Sequence, residues 1–407
     1  MKKVTIAGYL RTPISRARPN KPEADAFNSL RMDECAASLI REILKQKGVP
    51  PEAVNRCIIG CANQQGEQWL YGGRVVSLLA DLPYSTPAVA VDVQCGSSMS
   101  AIQMGAMEIA MGYSDVVMAG GMEHMTHVPM RSGTKPNPNL LHKNRFDPAK
   151  INKTISDMYD AQGDRYLMPS MGDTAELLAS EAGITREEMD RWAERSHKLA
   201  TKALKEEFFK GEIMDLEVTD AEGVTRTISH DLSIRPDTTY EQIASLKPAF
   251  NKDGIVTAGN SSPLNSAASM IMLMSEEKAK EYGLKPLAEI VSLGWGGVDP
   301  VLMGKGPLPA SQMALARAGL TASDIDYWEI NEAFAVVTLW NMAQMQLDPD
   351  RVNIKGGAIA LGHALGMTGA RLVGTLARIL ELEGGEYGLA TACIGGGQGL
   401  ATLIKSC

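Results

Sequence analysis

The stretches LIREILKQKGVPPEAVNRCIIG at 39–60 and MALARAGLTASDIDYWEIN at 313–331 decide the fold. Each begins as an amphipathic helix, reaches a glycine, passes through a short acidic turn and ends in an apolar strand. Gly48 and Gly319 align without a gap, and so do the strands that follow them. The alternation of helix and strand along the chain predicts an α/β protein.

A second correspondence follows each of these stretches. Residues 91–121 run as strand, small-residue loop, helix, strand and glycine pair, and residues 352–397 repeat the series with a longer loop. Two correspondences in the same order indicate an internal duplication. We therefore predict two similar halves, with a functional site in the cleft between them.

The region between the halves, 122–250, breaks the pattern and predicts an inserted subdomain. It contains the charged helix REEMDRWAERSHKLATKALKEEF at 186–208. It also contains a basic stretch at 131–153, where six Lys and Arg residues oppose one Asp. Such a stretch is either a solvated loop or a surface that attracts a phosphate-bearing ligand or contacts another subunit.

Composition excludes several classes of protein. The net charge of −8 over 407 residues disfavours a dedicated nucleic-acid binder. No uncharged apolar run reaches the roughly 18–20 residues that a membrane span needs. The N-terminal apolar stretch stops at Arg11 and Pro13, which favours a first strand over a secretory signal and predicts a cytoplasmic protein. Six cysteines without a CxxC pair disfavour a disulfide scaffold and a zinc ribbon.

Cys95 is the strongest candidate for chemistry. It follows the apolar strand AVAVDV and opens a predicted helix, and Gly96, Ser97 and Ser98 leave its sulfur approachable. Unpaired N–H groups and the positive end of the dipole at a helix N-terminus favour a thiolate. The alternative is a buried structural cysteine, which is the commonest state of a free cysteine.

Two glycine-rich segments supply the next candidates. His363 lies within GGAIALGHALGMTGAR, where the glycines favour a close approach of backbone to a ligand, and it could serve as a base for a cysteine. Cys393 opens CIGGGQG after a strand, so Gly395 and its neighbours could offer N–H groups to phosphate or to an oxyanion. A satisfied core histidine and a tight turn are the alternatives.

Two further groups of polar residues are candidates for binding roles. Asn331 follows the strand YWEI and could hold a water or a carbonyl oxygen, while Glu332 could orient His363; the alternative for both is a strand-end cap. His124 and His127 beside Glu123 could ligate zinc, but no third ligand has motif spacing, so we predict no metal site.

Taken together, the motifs resemble those of the thiolase family over nearly the whole chain. They stand in the family's order: QCGSS at 94–98, AGGMEHM at 119–125, TAGNSSPLN at 257–265, NEAFA at 331–335, GGAIALGH at 356–363 and CIGGGQG at 393–399. The segment SIRPDTTYEQIASLKPAF at 233–250 resembles the sequences of the family branch that cleaves 3-ketoacyl-CoA in fatty-acid β-oxidation. GVDPVLMGKGPLPAS at 297–311 is nearly as similar to the biosynthetic acetoacetyl-CoA branch.

The resemblance implies a fold and a domain plan. Two βαβαβαββ halves are expected to form a five-layered α/β/α/β/α core with an inserted loop domain. Its expected boundaries are 1–121 with 251–274 for the N-terminal half, 122–250 for the loop domain and 275–407 for the C-terminal half. Family members are usually dimers or tetramers, so a homodimer or homotetramer is expected, and a hydratase/dehydrogenase subunit is a possible partner.

The resemblance also implies roles for the candidate residues. Cys95 would attack the 3-keto carbon and carry the acyl group, and His363 would activate it and hydrogen-bond the thioester oxygen. Cys393 would move a proton to and from the acetyl-CoA enolate. Asn331 would hold a water that completes the first oxyanion site. The N–H groups of Cys95 and Gly395 would form the second.

Coenzyme A and its acyl thioesters would be substrates, and no cofactor would be bound permanently. The resemblance places six residues around its pantetheine and nucleotide, namely Met171, Arg235, Phe250, Ala258, Ser262 and Phe334. The chain departs from the family pattern at four positions. Ala364 stands where a proline usually follows the histidine, and Lys355 stands where asparagine is common. Ser266 lies where the family frequently has NDGA and this chain has NSAA, and Ser170 stands where many biosynthetic members have histidine.

Two other enzyme classes remain open at this stage. A cysteine-dependent thioester hydrolase would use Cys95 and His363 without needing Cys393. A decarboxylating condensing enzyme shares the fold but usually places histidines where NEAFA and Cys393 stand in this chain.

Overall fold

The computed structural model describes residues 1–130, 170–220 and 222–407, so the basic stretch at 131–153 lies outside the described residues. The described strands are β1 (Val4–Arg11), β2 (Ser15–Arg16), β3 (Arg56–Gly60), β4 (Ala88–Val91), β5 (Val116–His124), β6 (Leu216–Thr219), β7 (Thr225–Ile228), β8 (Asn265–Ser275), β9 (Ala288–Gly297), β10 (Tyr327–Ile330), β11 (Tyr387–Ile394) and β12 (Gln398–Ser406). The described α-helices are α1 (Met32–Lys47), α2 (Arg74–Leu79), α3 (Ser97–Ala110), α4 (Met171–Ala182), α5 (Arg186–Lys205), α6 (Tyr240–Ala244), α7 (Glu276–Glu281), α8 (Pro307–Ala318), α9 (Ala335–Met345), α10 (Ala358–Leu361) and α11 (Thr368–Glu383).

The strand order repeats, as the duplication predicts. In the first half the order is β4-β3-β5-β8-β1, with β3 parallel to both β4 and β5 and the remaining pairs antiparallel. In the second half the order is β10-β11-β12-β9, with only β10 and β11 parallel. A parallel bridge from Trp328 to Val352 takes the place that β4 has in the first half. Gly48 and Gly319 both end their helices with left-handed backbone, at φ of 61° and 69°.

Helices α3 and α11 form the middle layer. Apolar side chains of both helices pack in one buried cluster with residues of β5 and β8 from one half and of β11 and β12 from the other. Separate clusters lie on the outer faces, one around α1 and one around α8 with α4, α5 and α9. The layers therefore alternate α/β/α/β/α, and the predicted thiolase-like fold is confirmed.

The halves also meet edge to edge, because Val4–Ile6 of β1 pair antiparallel with Ala288–Ile290 of β9. The described part of the inserted region holds α4, α5, the hairpin β6–β7 and α6. A buried ion pair ties it to β1, since Arg11 contacts Glu212 and Asp231 at 2.7 Å each. The domain boundaries at 122, 250 and 275 stay a proposal. Among the described helices, none is long and apolar enough to cross a membrane.

Candidate active site

Cys95 lies in a short turn, Gln94–Gly96, that joins β4 to α3. Gln94 has a φ of 46°, and the Ser97 hydroxyl holds the turn by donating to the Gln94 carbonyl (2.7 Å) and accepting from the Val93 N–H (2.9 Å). A Cβ on Gly96 would come within 2.6 Å of the Ile394 side chain. The turn that carries Cys95 in the first half is therefore packed directly against β11 of the second.

The Cys95 side chain is buried, and this sets its protonation. Burial raises the pKa of its thiol to about 12, and the charge of Glu123 adds to that rise. Hydrogen bonds from the N–H groups of Gly395 and of Cys95 itself oppose it. The backbone N–H groups therefore favour the thiolate as expected, but desolvation outweighs them and raises the net pKa. The same two N–H groups are the pair predicted for the second oxyanion site, and they do converge at the sulfur.

His363 lies in the loop between α10 and α11 and is 5% exposed. Its Nδ1 is 2.7 Å from the Thr368 hydroxyl, and its Nε2 is 3.4 Å from the Asn331 amide nitrogen. Burial, assisted by the charge of Arg371, lowers the pKa of the imidazole to about 3. The ring is therefore neutral in the free site, as a base requires.

Cys393 and Asn331 complete the set of candidate residues that the structure brings together. Cys393 is fully buried at the end of β11, and burial raises the pKa of its thiol, with the nearby Cys95 sulfur adding to the rise. The Asn331 side chain hydrogen-bonds Cys393 and so lowers that pKa somewhat. Among the described residues the buried Asn331 Oδ1 has no hydrogen-bond partner, which leaves an acceptor for a water. The structure thus brings together Cys95, His363, Cys393, Asn331 and Gly395.

The expectation that Glu332 orients His363 was wrong. Its buried carboxylate accepts four hydrogen bonds from elsewhere, and the donors are Trp192 Nε1, Ser196 Oγ, Asn353 Nδ2 and the Ile359 N–H. A Cβ on Gly357 would lie 2.0 Å from the carboxyl carbon, so the glycine pair of the GGAIALGH motif makes room for Glu332. Glu332, in the loop between β10 and α9, therefore ties that loop to the inserted helix α5 and to the start of α10.

The loop carrying His363 is held firmly although Ala364 replaces the usual proline. The His363 N–H donates to Asn265 Oδ1 (2.7 Å), and the Gly366 N–H donates to Glu123 Oε2 (2.9 Å). The Thr368 hydroxyl donates to the Ala364 carbonyl at 2.8 Å. Side-chain hydrogen bonds thus supply the rigidity that a proline ring would give.

The other three departures also have partners in the fold. Lys355 pairs with Glu383 and lies over the Phe208 ring. Ser266 contacts His124 Nδ1 at 3.1 Å, and Ser170 caps α4 by accepting from the Asp173 N–H at 3.2 Å. None of the three contacts a reacting group in these interactions.

Four of the six expected CoA contacts lie beside the reacting groups or beside each other. A Cβ on Gly395 would lie 3.3 Å from the Met171 sulfur. The rings of Phe250 and Phe334 meet edge to face at 5.9 Å, and Ser262 bonds the Ala333 carbonyl through its N–H at 3.0 Å. Ala258 is exposed in the same 257–265 segment.

Arg235, another of the six expected contacts, is exposed. Its charge acts on Arg16 and on His197, and its backbone N–H donates to His197 Nδ1 at 3.3 Å. Burial lowers the pKa of the Arg16 guanidinium, and the charges of Arg18 and Arg235 lower it further. The sequence patterns did not single out Arg16 or Arg18, because both stand outside every motif and Arg16 comes near Arg235 only in the fold.

His124 and His127 lie with a different carboxylate from the one that adjoins them in sequence. His124 and His127 stack at 3.7 Å with Glu67, not Glu123, as the nearby carboxylate, and their possible ligand atoms lie within 4.8 Å of one another. Their Nε2 atoms face the carbonyls of Phe27 and Asn28. The parallel rings direct their in-plane lone pairs side by side, which does not suit one shared ion. The absence of a metal site stays a prediction.

Comparison with known proteins covers the whole chain. Family models match the thiolase N-terminal domain over residues 4–277 and the thiolase C-terminal domain over residues 284–406. The chain is 42% identical over 405 residues to the 3-ketoacyl-CoA thiolase of Marinobacter nauticus, covering 98% of this chain and 97% of that protein.

Two solved structures are similar over 100% of this chain and 99% of their own. They are the acetyl-CoA acetyltransferase of Bacillus anthracis (37% identity, TM-score 0.85) and the human mitochondrial 3-ketoacyl-CoA thiolase (34% identity, TM-score 0.86). The human protein has also been solved in complex with CoA, and that structure has a TM-score of 0.85 to this chain.

Proposed function

The chain belongs to the thiolase family, and we propose that it is an acyltransferase that cleaves 3-ketoacyl-CoA with CoA to give acetyl-CoA and a shortened acyl-CoA. The observation that carries the proposal is the burial of two cysteines, one from each half, against a single neutral histidine and Asn331. One cysteine can hold the acyl group while the other moves a proton. The reaction is reversible in principle, and fatty-acid β-oxidation is the proposed setting.

In the first half-reaction, the Cys95 sulfur attacks the 3-keto carbon as its proton passes to His363 Nε2. The keto oxygen becomes negative and is stabilised by the N–H groups of Cys95 and Gly395. The bond between C2 and C3 then breaks, and its electron pair forms the enolate of acetyl-CoA. Protonated His363 and a water held by Asn331 stabilise the enolate oxygen, and Cys393 donates the proton that gives acetyl-CoA.

In the second half-reaction, the thiol of CoA loses its proton to the Cys393 thiolate and attacks the acyl group on Cys95. The tetrahedral intermediate again places its oxyanion on the two N–H groups. Its collapse releases the shortened acyl-CoA, and the Cys95 sulfur recovers its proton from His363. Charges form on Cys95, His363 and Cys393 only when a proton is transferred. This suits the three groups, because burial disfavours the charged form of each.

A second candidate function is that of an acetoacetyl-CoA thiolase working in the condensing direction. The 37% identity to an acetyl-CoA acetyltransferase favours it, and it uses the same reacting groups. A cysteine-dependent hydrolase is a weaker candidate, because it gives Cys393 and its bond to Asn331 no role.

Thiolysis rates across chain length test the proposal. We expect kcat/KM to be higher for 3-ketoacyl-CoA substrates with longer acyl chains than for acetoacetyl-CoA, with acyl-CoA as the product. A preference confined to acetoacetyl-CoA would indicate the biosynthetic activity instead. Release of free acid rather than acyl-CoA would indicate a hydrolase.

We propose that the protein forms a homodimer or homotetramer through the side of the molecule that carries β4. This strand ends the strand order of the first half, and all four of its residues are only half-buried. Eight large hydrophobic side chains on the flanking segments are exposed, namely Trp69, Tyr71, Leu78, Leu79, Tyr84, Met107, Met111 and Tyr113. An apolar surface around a strand edge that no described strand covers favours a partner subunit. A hydratase/dehydrogenase subunit and a cytoplasmic location stay predictions.

Arg235 is proposed to attract the phosphates of coenzyme A, in company with Arg16 and Arg18. Replacing Arg235 by alanine should raise KM for CoA substrates roughly two- to fivefold, because an exposed charge pair contributes up to about 1 kcal/mol. The value of kcat should change little, because the phosphates lie far from the reacting carbon. Steady-state kinetics at several salt concentrations would measure both, and the salt dependence of KM should weaken.

A pantetheine substrate lacking the nucleotide should be indifferent to this substitution. Arg226→Ala is the matched control, because Arg226 is an exposed arginine of the inserted region that pairs with Asp220. If pantetheine turnover falls as much as CoA turnover, Arg235 supports the fold rather than the ligand.

A further inference from the structure

The Thr368 hydroxyl makes two hydrogen bonds whose directions are fixed by chemistry. Thr368 is the first residue of α11, is fully buried, and places its oxygen 2.8 Å from the Ala364 carbonyl and 2.7 Å from His363 Nδ1. A carbonyl can only accept, so the single hydroxyl proton lies on the bond to Ala364. The hydroxyl oxygen must therefore accept a hydrogen bond from His363, so the ring proton resides on Nδ1.

The opposite side of the ring agrees with this assignment. Asn331 presents its Nδ2 to His363 Nε2 at 3.4 Å, and an amide nitrogen can only donate. A neutral imidazole has one N–H and one lone pair, and burial beside Arg371 keeps this ring neutral. With the proton on Nδ1, the lone pair lies on Nε2, on the side where Asn331 and the cysteine sulfurs meet.

We propose that Thr368 is a positioning residue that holds His363 in the Nδ1–H tautomer, so that Nε2 can accept the Cys95 thiol proton. The other tautomer would carry a hydrogen on Nε2 and could not act as the base. Glu332 cannot do this work, because its carboxylate is occupied by four other donors. The proposal rests on the thiolase function proposed above, since it assigns His363 the role of base in that reaction.

Substitution of Thr368 by valine removes the acceptor while keeping the shape of the side chain. We expect kcat/KM for thiolysis, and the rate of Cys95 acylation by acyl-CoA, to fall by about 10²-fold or more, the size of a general-base contribution. Thr368→Ser restores the hydroxyl and should restore both rates. Thr338→Val is the matched control, because Thr338 is a fully buried threonine whose hydroxyl has no partner among the described residues.

The tautomer itself can be observed in the unmodified protein by nitrogen-15 NMR of labelled histidine, with the His363 signals identified by their loss in His363→Ala. We expect a protonated Nδ1 and a bare Nε2, and a shift toward Nε2–H in Thr368→Val. A proton on Nε2 in the unmodified protein would overturn the proposal, and so would full activity of Thr368→Val.

This readout also holds if Thr368→Val folds poorly, because the first measurement needs no variant. Failure of the tautomer proposal can be distinguished from failure of the proposed function. Absence of thiolysis by the unmodified protein would contradict the function, whereas the NMR result tests the tautomer whatever the substrate.

Discussion

Replacing Cys95 by alanine should abolish thiolysis, with a loss on the order of 10⁶-fold, the size seen when a covalent nucleophile is removed from another acyl-transfer enzyme. The reason is that no other described group can hold the acyl chain where the N–H groups of Cys95 and Gly395 converge. In the unmodified protein, acyl-CoA added without an acceptor thiol should leave an acyl group on Cys95. Intact-protein mass spectrometry with peptide mapping measures that adduct, and the substitution should remove it.

Cys57→Ala supplies the matched control for this experiment. Cys57 is a fully buried free cysteine on β3 and contributes to the outer core cluster around α1. Its loss should leave both the adduct and the turnover in place apart from any change in stability. An acyl group mapped to a cysteine other than Cys95, or turnover that survives Cys95→Ala, would remove Cys95 from the role of nucleophile.

The architecture could be predicted because its signal repeats along the chain. Gly48 and Gly319 end equivalent helices with the same left-handed backbone, and the glycine-to-strand spacing after each is the same. A duplication seen in sequence therefore became a duplication in strand order. The antiparallel contact between β1 and β9 could not be predicted, since it depends on how the halves pack and has no periodic signature.

That Cys95, His363, Cys393 and Asn331 lie together could also be predicted, because each stands in a segment whose small residues have few other uses. The protonation states of these groups could not be predicted. Cys95 follows a strand and precedes a helix, which favours a thiolate locally, but packing of the second half over that turn removes water and reverses the effect. Desolvation is a property of the assembled core, and no pattern of neighbouring residues reports it.

The prediction that Glu332 orients His363 was wrong for a similar reason. Glu332 adjoins Asn331 in sequence, and a carboxylate is a common orienter of histidine, so proximity along the chain suggested the pairing. In the fold the Glu332 carboxylate turns to Trp192 and Ser196 of the inserted helix. The actual contact of His363 Nδ1 is Thr368, five residues later, and it depends on the path of the intervening loop. Hydroxyl contacts of this kind leave no composition signal.

Replacing Cys393 by alanine should separate the two halves of the reaction. The variant keeps Cys95, His363 and both backbone N–H groups, so it should still take an acyl group from acyl-CoA onto Cys95. It lacks the group that moves the proton of acetyl-CoA. Exchange of the acetyl-CoA α-protons with deuterated solvent should therefore fall by about 10²- to 10⁴-fold, the usual size of a general acid–base contribution. Mass spectrometry of recovered acetyl-CoA measures the exchange, and peptide mapping measures the adduct.

Cys393→Ser sharpens the comparison, because it keeps a hydroxyl that Asn331 can hydrogen-bond but raises the pKa of the proton mover far above that of a thiol. If the bond to Asn331 alone mattered, serine would restore exchange; if proton transfer matters, exchange should stay low in both variants. Loss of acylation and exchange to the same extent would contradict the division of labour, since it would mean that Cys393 supports the Cys95 turn against which β11 packs rather than moving a proton. Retained acylation with lost exchange would place the two sulfurs, one from each half of the duplication, at successive steps of one reaction.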